Sequence, residues 1–376
     1  MKKRLFSILM VLVLMLSMVI TGCSSSSSSD SSDSSSDDSS SDDGTYEIAL
    51  VTDVGNIDDK SFNQGAWEGV EQYAEDNGVS YAYYRPTEDS TQARVETMTT
   101  AIEKGAKVIV CPGYLFEEAV YEMQSEYPDV QFLILDGEPH NEDYSDYLTT
   151  ENTYCILYQE EQAGYFAGYA AVMDGYTQLG FLGGMEIPSV QRYGYGYLQG
   201  IDDAAAELGI TDSVTVKYYY CGSFTASDDI QTKMSGWYAD GTEIVFSCGG
   251  SIYTSACAAA EAAGTAVIGV DVDQSAESDT IVTSAMKGLT NSVVLALTAL
   301  YDNGGTWPEG YAGTTATLGA ADDCVGLPTA EDSWKLSNYK VEEYEALYES
   351  VVNGEIEISN NVDAAPEVSV TVDYQS

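Results

Sequence analysis

The sequence predicts an α/β protein of two lobes, each lobe a parallel sheet flanked by helices. Short runs of β-branched and aromatic residues alternate with segments of helical period through most of the chain, an order typical of strand–helix–strand units. A polar, tyrosine-rich stretch near residues 138–158 separates four such units from a second series, which indicates two lobes. The predicted strands are residues 47–52, 79–84, 107–111, 130–135, 179–182, 214–220, 243–247, 266–270 and 280–284.

Residues 1–22 have the order of a secretion signal. A basic start at residues 2–4 precedes the stretch 5–20, which is apolar except for two serines and is short for a membrane span. The stretch ends in I-T-G-C at residues 20–23, which resembles a bacterial lipobox, so we expect cleavage before Cys23 and attachment of diacylglycerol to its thiol. A plain signal peptide with an incidental cysteine is the alternative.

Residues 24–43 contain only Ser and Asp. Such a composition buries no apolar area to offset the entropy lost on ordering, so we expect a flexible tether. With Cys23 it predicts a domain held by lipid at the extracytoplasmic face of the cell membrane. We therefore divide the chain into a signal (1–22), an anchor and tether (23–43), lobe 1 (44–150, with a return segment at about 280–376) and lobe 2 (151–279).

The chain beyond the tether is strongly acidic. Three of the 14 basic residues lie in the signal and six of the 61 acidic residues lie in the tether, which leaves 11 Lys and Arg against 55 Asp and Glu. A surface with this net charge of −44 repels phosphate backbones, so we expect no nucleic-acid partner.

The side chains that metal sites and nucleophilic enzymes need are sparse. The cysteines after Cys23 have no C-x-x-C spacing, and the single histidine, His140, lies in a polar stretch. We therefore expect no metal site, no cofactor and no Ser-His or Cys-His nucleophile, while the disulfide pairing stays open. The cysteines are Cys111, Cys155, Cys221, Cys248, Cys257 and Cys324.

The strand exits are the first place to look for a site, because ligands of open parallel sheets bind beyond the carboxyl ends of the strands. The first exit, residues 52–64, reads T-D-V-G-N-I-D-D-K-S-F-N-Q and leads into an amphipathic helix. Gly55 permits a tight turn there, and Asp59 or Ser61 supplies the helix N-cap.

This exit resembles that of the basic membrane protein family of bacterial lipoproteins, whose best understood members are purine nucleoside receptors of ABC transporters. The string D-x-G-x-x-x-D-K-S-F-N-Q at 53–64 is the most specific mark, and the resemblance covers residues 46–360. Further matches are F-L-I-L-D-G at 132–137, Q-A-G-Y-F-A-G at 162–168, G-S-F at 222–224, G-G at 249–250, G-V-D-V-D-Q at 269–274 and T-S-A-M-K at 283–287.

The resemblance implies a two-lobed fold of the type I periplasmic-binding-protein kind, with a hinge of several strands. It also implies a nucleoside ligand, an ABC permease and its ATPase as partners, and a monomeric receptor with no catalytic residues. We expect the lipid anchor to hold this receptor on the membrane.

The resemblance implies that five residues contact or surround the base of the nucleoside. Phe62 and Phe224 would sandwich it, each stack contributing about 1–3 kcal/mol, although the second aromatic position could fall elsewhere in its loop. Asp53, with Asn63 nearby, would read the polar edge of the base. Gly250 would let the backbone approach the ligand closely.

The resemblance implies that three residues bind the sugar of the nucleoside. Asp136 and Asp271 each come just past an apolar strand, where they would accept hydrogen bonds from ribose hydroxyls. Lys287 would donate to a ribose oxygen and offset those carboxylates.

Each of these residues also has a plainer interpretation. Phe62 lies on the apolar face of its helix, where an aromatic residue is more often a packing residue. Asp53 could cap a helix, and Lys287 could be a surface charge. Asp271 and Asp273 could coordinate a cation or simply turn the chain.

Two positions depart from the family pattern. Cys248 stands directly before the G-G turn, where a small or polar residue is expected, and residues 251–253 follow where many relatives carry another glycine. We expect Tyr253 to narrow the pocket, which leaves the preferred base open.

Three functions are weighed. In the leading one, the lobes close around a nucleoside and the closed form docks on a permease. The second is nucleoside hydrolysis, since carboxylates around a sugar could act as acid and base, but no aspartate cluster with a supporting histidine is present in the sequence. The third is a surface adhesin or sensor with the same fold. Release of free base would separate the first two.

Overall fold

The structure is a computed structural model that describes residues 46–376, so the predicted signal, Cys23 and the tether lie outside the described residues. The strands in chain order are β1 (Ile48–Val51), β2 (Tyr81–Tyr84), β3 (Val108–Pro112), β4 (Gln131–Leu135), β5 (Thr153–Tyr158), β6 (Gln178–Gly183), β7 (Thr215–Tyr220), β8 (Ile244–Cys248), β9 (Ala266–Asp271), β10 (Ile281–Lys287), β11 (Thr314–Leu318), β12 (Val325–Gly326) and β13 (Thr371–Gln375). The α-helices are α1 (Phe62–Asn77), α2 (Thr91–Glu103), α3 (Glu117–Glu126), α4 (Glu160–Asp174), α5 (Pro188–Leu208), α6 (Asp228–Ala239), α7 (Ile252–Ala263), α8 (Leu289–Asp302) and α9 (Val341–Val352).

The strands form two sheets. In the first sheet, of order β11-β5-β4-β3-β1-β2, every neighbouring pair is parallel. In the second sheet, of order β12-β10-β9-β8-β6-β7-β13, all pairs are parallel except β12 with β10. The predicted α/β class with two parallel sheets flanked by helices is therefore confirmed. Each sheet with the helices packed on it is called the first-sheet or second-sheet lobe below.

The strand interiors show why these segments form parallel sheets. Every residue of β1, β3 and β4 is buried, as expected for strands that are covered by helices on both faces. Within residues 46–376, no helix combines the length and the apolar character that a membrane crossing needs. All six cysteines of the described chain are free thiols.

Sheet membership differs from the predicted lobe boundaries in two places. β5 begins just after the predicted boundary at residue 150, yet it pairs with β4 in the first sheet. β10 opens the segment predicted to return to lobe 1, yet it pairs with β9, because the short connection 272–280 leaves it beside the strand that it follows. Of the return segment, α8 and β11 lie with the first sheet, whereas β12 and β13 lie with the second.

The chain passes between the two lobes at three places that lie side by side. The crossings are at Gln159, at Gly288 and at residues 319–324. The Gln159 N–H donates to the Leu318 carbonyl at 2.9 Å, and the Gly288 N–H donates to the Cys324 carbonyl at 2.7 Å. These bonds tie the crossings together into a hinge of several strands.

Candidate functional site

Strands from both sheets end at one cavity. It holds about 600 Å³, including the solvent at its mouth. Every residue for which the sequence predicts ligand binding lines this cavity: Asp53, Phe62, Asn63, Asp136, Phe224, Gly250, Asp271 and Lys287. The structure thus brings these residues together, and the role of each toward a ligand stays a prediction.

Four charged side chains reach the cavity from strand ends. Asp53 and Asp136 follow β1 and β4 of the first sheet, while Asp271 and Lys287 end β9 and β10 of the second. Asp136 and Asp271 have φ angles of 58° and 65°. This left-handed conformation is one that aspartate tolerates better than most residues, and it turns the chain where each strand stops.

Ser61 stands at the N-cap position of the first helix, but the capping hydrogen bonds are made by Asp59, the other residue predicted for this role. Its carboxylate accepts hydrogen bonds from the backbone N–H groups of Asn63 and Gln64, at 3.2 and 3.1 Å. Ser61 makes no side-chain cap and instead donates its hydroxyl to Asp271 of the second sheet. The start of α1 therefore links the two lobes as well as lining the cavity.

Asp53 is held in place by its neighbours. Its Oδ1 accepts hydrogen bonds from the Gly55 N–H at 2.6 Å and from the Asn63 amide at 2.8 Å. The Asn63 amide also donates to Asp59 at 2.9 Å. Burial raises the pKa of Asp53 to about 6, although the hydrogen bonds from Gly55 and Asn63 lower it. Asn63 therefore positions Asp53 and has no spare N–H for the cavity.

Lys287 is a buried cation shared by two carboxylates. Its Nζ lies 2.5 Å from Asp136 Oδ2 and 2.9 Å from Glu160 Oε1. The side chain is 2% exposed, which rules out the surface-charge interpretation. Burial opposes the positive charge, but Asp136 and Glu160 outweigh burial and raise the pKa of Lys287, so the amine stays protonated.

The two carboxylates beside Lys287 differ in their acidity. Burial raises the pKa of Asp136 to about 7, although Lys287 lowers it; the Glu160 carboxylate raises it further. For Glu160, burial is outweighed by Lys287 and by Arg192, whose Nε lies 2.5 Å away, and the pKa falls below its ordinary value. Asp136 is therefore the partner that changes charge near neutral pH. Its Oδ1 has no hydrogen-bond partner among the described residues.

Aromatic rings line the cavity from both lobes. Phe62 is half-buried at the start of α1, and Phe224 is half-buried in the loop after β7. Phe62 packs partly against the core, yet its ring also faces the Lys287 amine at 5.0 Å. A Cβ added at Gly184 would lie 2.4 Å from the Phe224 ring, so that glycine makes room for the ring.

Gly250 permits a close approach, but of a different kind from the one predicted. Its φ is 52°, and an added Cβ would lie 2.5 Å from the Phe224 carbonyl oxygen. The glycine therefore allows the turn after β8 to pack on the loop that carries Phe224. It thereby helps to place the Phe224 ring, which lines the cavity.

The two departures from the family pattern have different outcomes. Cys248 lines the cavity and is buried. Tyr253 does not line it, because the side chain belongs to the buried core of the second-sheet lobe. The expectation that Tyr253 narrows the pocket is therefore wrong. Asp273 also lies away from this cavity and accepts a hydrogen bond from Ser333.

Reasoning from strand exits missed the site residues that stand on helices. Glu160 is the first residue of α4 and contacts Lys287, and Arg192 of α5 contacts Glu160. Tyr193, the next residue of α5, lines the cavity itself. Their periodicity marks only buried helix faces, so the sequence contains no local signal for them. The further lining residues are Asp59, Gly113, Tyr114, Ile187, Ser189, Val190, Tyr193, Cys248, Gly249 and Val270.

The arrangement suits a ligand that combines a flat ring system with a group that carries hydroxyls. Aromatic faces offer stacking, and Asp53, Asp136 and Asp271 offer acceptors for O–H or N–H groups. In the described part of the chain, no group of three or more Cys, His, Asp and Glu side chains is arranged to hold a metal ion.

Comparisons with known proteins show a family and a fold. A family model described as "ABC transporter substrate-binding protein PnrA-like" matches residues 47–362. The "ABC transporter nucleoside-binding protein BmpA" of Lactococcus lactis subsp. cremoris is 27% identical over 60% of this chain and 64% of that relative. The "CD4+ T-cell-stimulating antigen" of Listeria monocytogenes is 27% identical over 83% of this chain and 88% of its own. An ABC transporter solute-binding protein from Aeropyrum pernix K1 shares the fold, with a TM-score of 0.70, 21% identity and coverage of 85% and 94% of the two chains.

Proposed function

This chain belongs to the family of PnrA-like ABC transporter substrate-binding proteins, and from that premise we propose that it binds a nucleoside, with a purine as base, in the cavity between its lobes. The observation that carries the proposal is the combination, in one cavity, of two aromatic rings with buried carboxylates and a buried lysine. A nucleoside has a flat base for the rings and a hydroxylated sugar for the carboxylates. The lactococcal relative, described as nucleoside-binding, supports this choice.

In the proposed complex the base lies between Phe62 and Phe224, with its polar edge toward Asp53. Each stacking contact contributes about 1–3 kcal/mol. The sugar hydroxyls donate to Asp136 and Asp271, whose charges Lys287 offsets. Because these groups come from both lobes, the ligand favours the closed arrangement of the lobes.

The remaining parts of the proposal concern location and partners. We propose that Cys23 is lipidated and holds the protein, as a monomer, at the extracytoplasmic face of the membrane. There it passes its ligand to a permease that an ATPase drives, and it leaves the ligand chemically unchanged.

Calorimetric titration of the full chain in detergent with adenosine, guanosine, inosine, cytidine, uridine and ribose tests the proposal. We expect purine nucleosides to bind and free ribose to bind far more weakly. Asp136→Asn keeps the size of the side chain but removes the charge beside Lys287, so the affinity should fall about 10- to 100-fold. Asp229→Asn, at an exposed position, serves as the matched control and should bind normally.

Chromatography of the titrated samples checks the absence of turnover. Unchanged nucleoside is the expected result. Free base in the wild-type sample, absent from Asp136→Asn, would show that the protein is a nucleoside hydrolase and contradict the receptor proposal. Failure of every compound to bind would contradict the nucleoside proposal as a whole.

A further inference from the structure

Tyr193 is a residue of the cavity lining that carries a buried hydroxyl. Tyr193 lies on α5, is 2% exposed and lines the ligand cavity. Its Oη has no hydrogen-bond partner among the described residues. Buried tyrosine hydroxyls usually find a partner, because an unpaired one loses the hydrogen bonds that water gave it.

The ring of Tyr193 is held on several sides. It meets Phe246 edge to face, with ring centroids 5.9 Å apart, and the Lys287 amine lies 5.4 Å from its centroid. The backbone beneath it is fixed as well, since a Cβ at Gly164 of α4 would lie 2.0 Å from the Tyr193 carbonyl oxygen. The side chain is therefore a rigid part of the cavity wall.

A carboxylate acceptor, Asp271, lines the same cavity as this phenol. Burial raises the pKa of Tyr193 well above its ordinary value, and Asp271 is the charged group that raises it most, so the phenol keeps its proton and can donate. Asp271 lines the same cavity, and its Oδ2 accepts a hydrogen bond from Ser61. No hydrogen bond joins Tyr193 to Asp271 in the described chain, so the cavity lining includes a phenol donor and a carboxylate acceptor that are not bonded to each other.

We propose that Tyr193 and Asp271 bind the same sugar hydroxyl of the ligand, Tyr193 donating a hydrogen bond to its oxygen and Asp271 accepting its hydrogen. This inference rests on the proposed function, because it assigns a residue to the sugar side of that site. A hydroxyl is the group that can accept and donate at once. The pair therefore makes the site selective against the deoxy analogue that lacks this hydroxyl, since two buried groups would then stay unpaired.

The test combines Tyr193→Phe with ligand analogues in calorimetric titrations of the full chain in detergent. The ligands are the purine nucleoside that binds most tightly and its 2′-deoxy, 3′-deoxy and 5′-deoxy forms. We expect Tyr193→Phe to weaken binding of the complete nucleoside about 3- to 15-fold. The deoxy form that lacks the contacted hydroxyl should bind weakly to the wild type. Its affinity should not fall further in Tyr193→Phe.

Tyr197→Phe is the matched control. Tyr197 lies one turn further along α5, is fully buried and also has an unpartnered hydroxyl, but it does not line the cavity. Its variant should bind every ligand as the wild type does. Neither variant should lower the melting temperature, because each removes a hydroxyl that bonds to nothing in the described chain.

The outcomes separate the two proposals. A wild type that binds no nucleoside overturns the proposed function, and the pairing with it. Normal nucleoside binding by Tyr193→Phe overturns the pairing alone. Equal weakening of the complete nucleoside and of all deoxy forms, or equal weakening in Tyr197→Phe, also overturns it, because the effect would then come from helix packing.

Discussion

Two carboxyl groups of the cavity change charge close to neutral pH. The pKa of Asp53 is about 6 and that of Asp136 about 7, and burial is the largest cause in both. Both groups stand at strand exits that face the proposed ligand. Their protonation therefore alters the number of acceptors in the cavity and the charge that balances Lys287.

We expect ligand affinity to fall as the pH is lowered from about 8 to about 5. If binding needs the ionised form, each carboxyl weakens binding by up to about tenfold per pH unit below its own pKa. The measurement is calorimetric titration of the full chain across this range. In Asp53→Asn, the decrease that begins near pH 6 should disappear, whereas the one that begins near pH 7 should remain.

Unfolding experiments without ligand provide the control, because the sign there is opposite. A raised pKa in the folded state stabilises the fold fully below the ordinary value of 3.8, and this contribution is lost as the pH rises through about 6 for Asp53 and about 7 for Asp136. Loss of affinity at low pH therefore cannot come from these groups unfolding the protein. A binding profile that stays flat down to pH 5 would contradict the prediction.

Much of the site could be predicted from the sequence at this scale, because the end of a buried strand is visible in the sequence. An aspartate or lysine directly after an apolar run, as at Asp136 and Lys287, is expected at the carboxyl edge of the sheet. Tyr193 and Glu160 could not be predicted in this way, since a residue on a buried helix face has the same pattern whether it meets the core or a cavity.

At the scale of elements, α4 and α5 pack closely because both carry glycines where they cross. A Cβ at Gly168 would lie 2.2 Å from the Tyr197 carbonyl oxygen, and one at Gly200 would lie 2.1 Å from the Tyr165 carbonyl oxygen. Backbone is in contact with backbone here, so no side chain can move aside. The string at 162–168 resembles the family pattern, but the role of its glycines becomes clear only from the packing of α4 against α5.

Gly168→Ala should lower the free energy of unfolding by about 1–3 kcal/mol, the usual cost of overpacking a tight interface. Urea unfolding followed by circular dichroism measures it. Gly236→Ala is the control, because Gly236 is exposed on α6 with nothing within 4 Å of an added Cβ. That change should stabilise the protein by about 0.5–1 kcal/mol, as alanine favours the helix. Equal effects of the two substitutions would refute the account of the crossing.

At the scale of the whole molecule, the two lobes are joined by contacts as well as by the hinge. The Gln274 amide of the second-sheet lobe donates to the Lys60 carbonyl at 2.7 Å, and the Tyr114 hydroxyl lies 3.3 Å from the Met185 sulfur. These contacts form across a chain with 61 acidic and 14 basic residues. Repulsion among like charges therefore opposes the compact state throughout.

We expect the melting temperature to rise with salt, because screening weakens this repulsion. The Debye length shortens from about 30 Å at 0.01 M salt to about 3 Å at 1 M, so most of the gain should come below about 0.5 M. Calorimetric melting in NaCl, KCl and tetramethylammonium chloride at equal ionic strength measures it. The three salts should act alike; a gain with only one of them would point to specific ion binding, and no gain would show that the charges are too far apart to matter.

The lobe boundaries could be predicted only in outline. Periodicity identifies a strand, but the partner of a strand depends on contacts far along the chain. β10 has the same apolar pattern as the strands around it, and only its pairing with β9 places it in the second sheet. The C-terminal strand β13 was missed because its residues are mostly exposed at the sheet edge.

The interleaved order of the strands affects how the protein folds during and after its synthesis. The first sheet is completed by β11, which begins at Thr314, and the second by β13, which ends one residue before the C-terminus. Each sheet therefore acquires its full set of strands only after this late segment of the chain has been synthesised. We therefore expect a late step of folding in each lobe to be the docking of an edge strand, β11 or β13, on a sheet whose central strands come earlier in the chain.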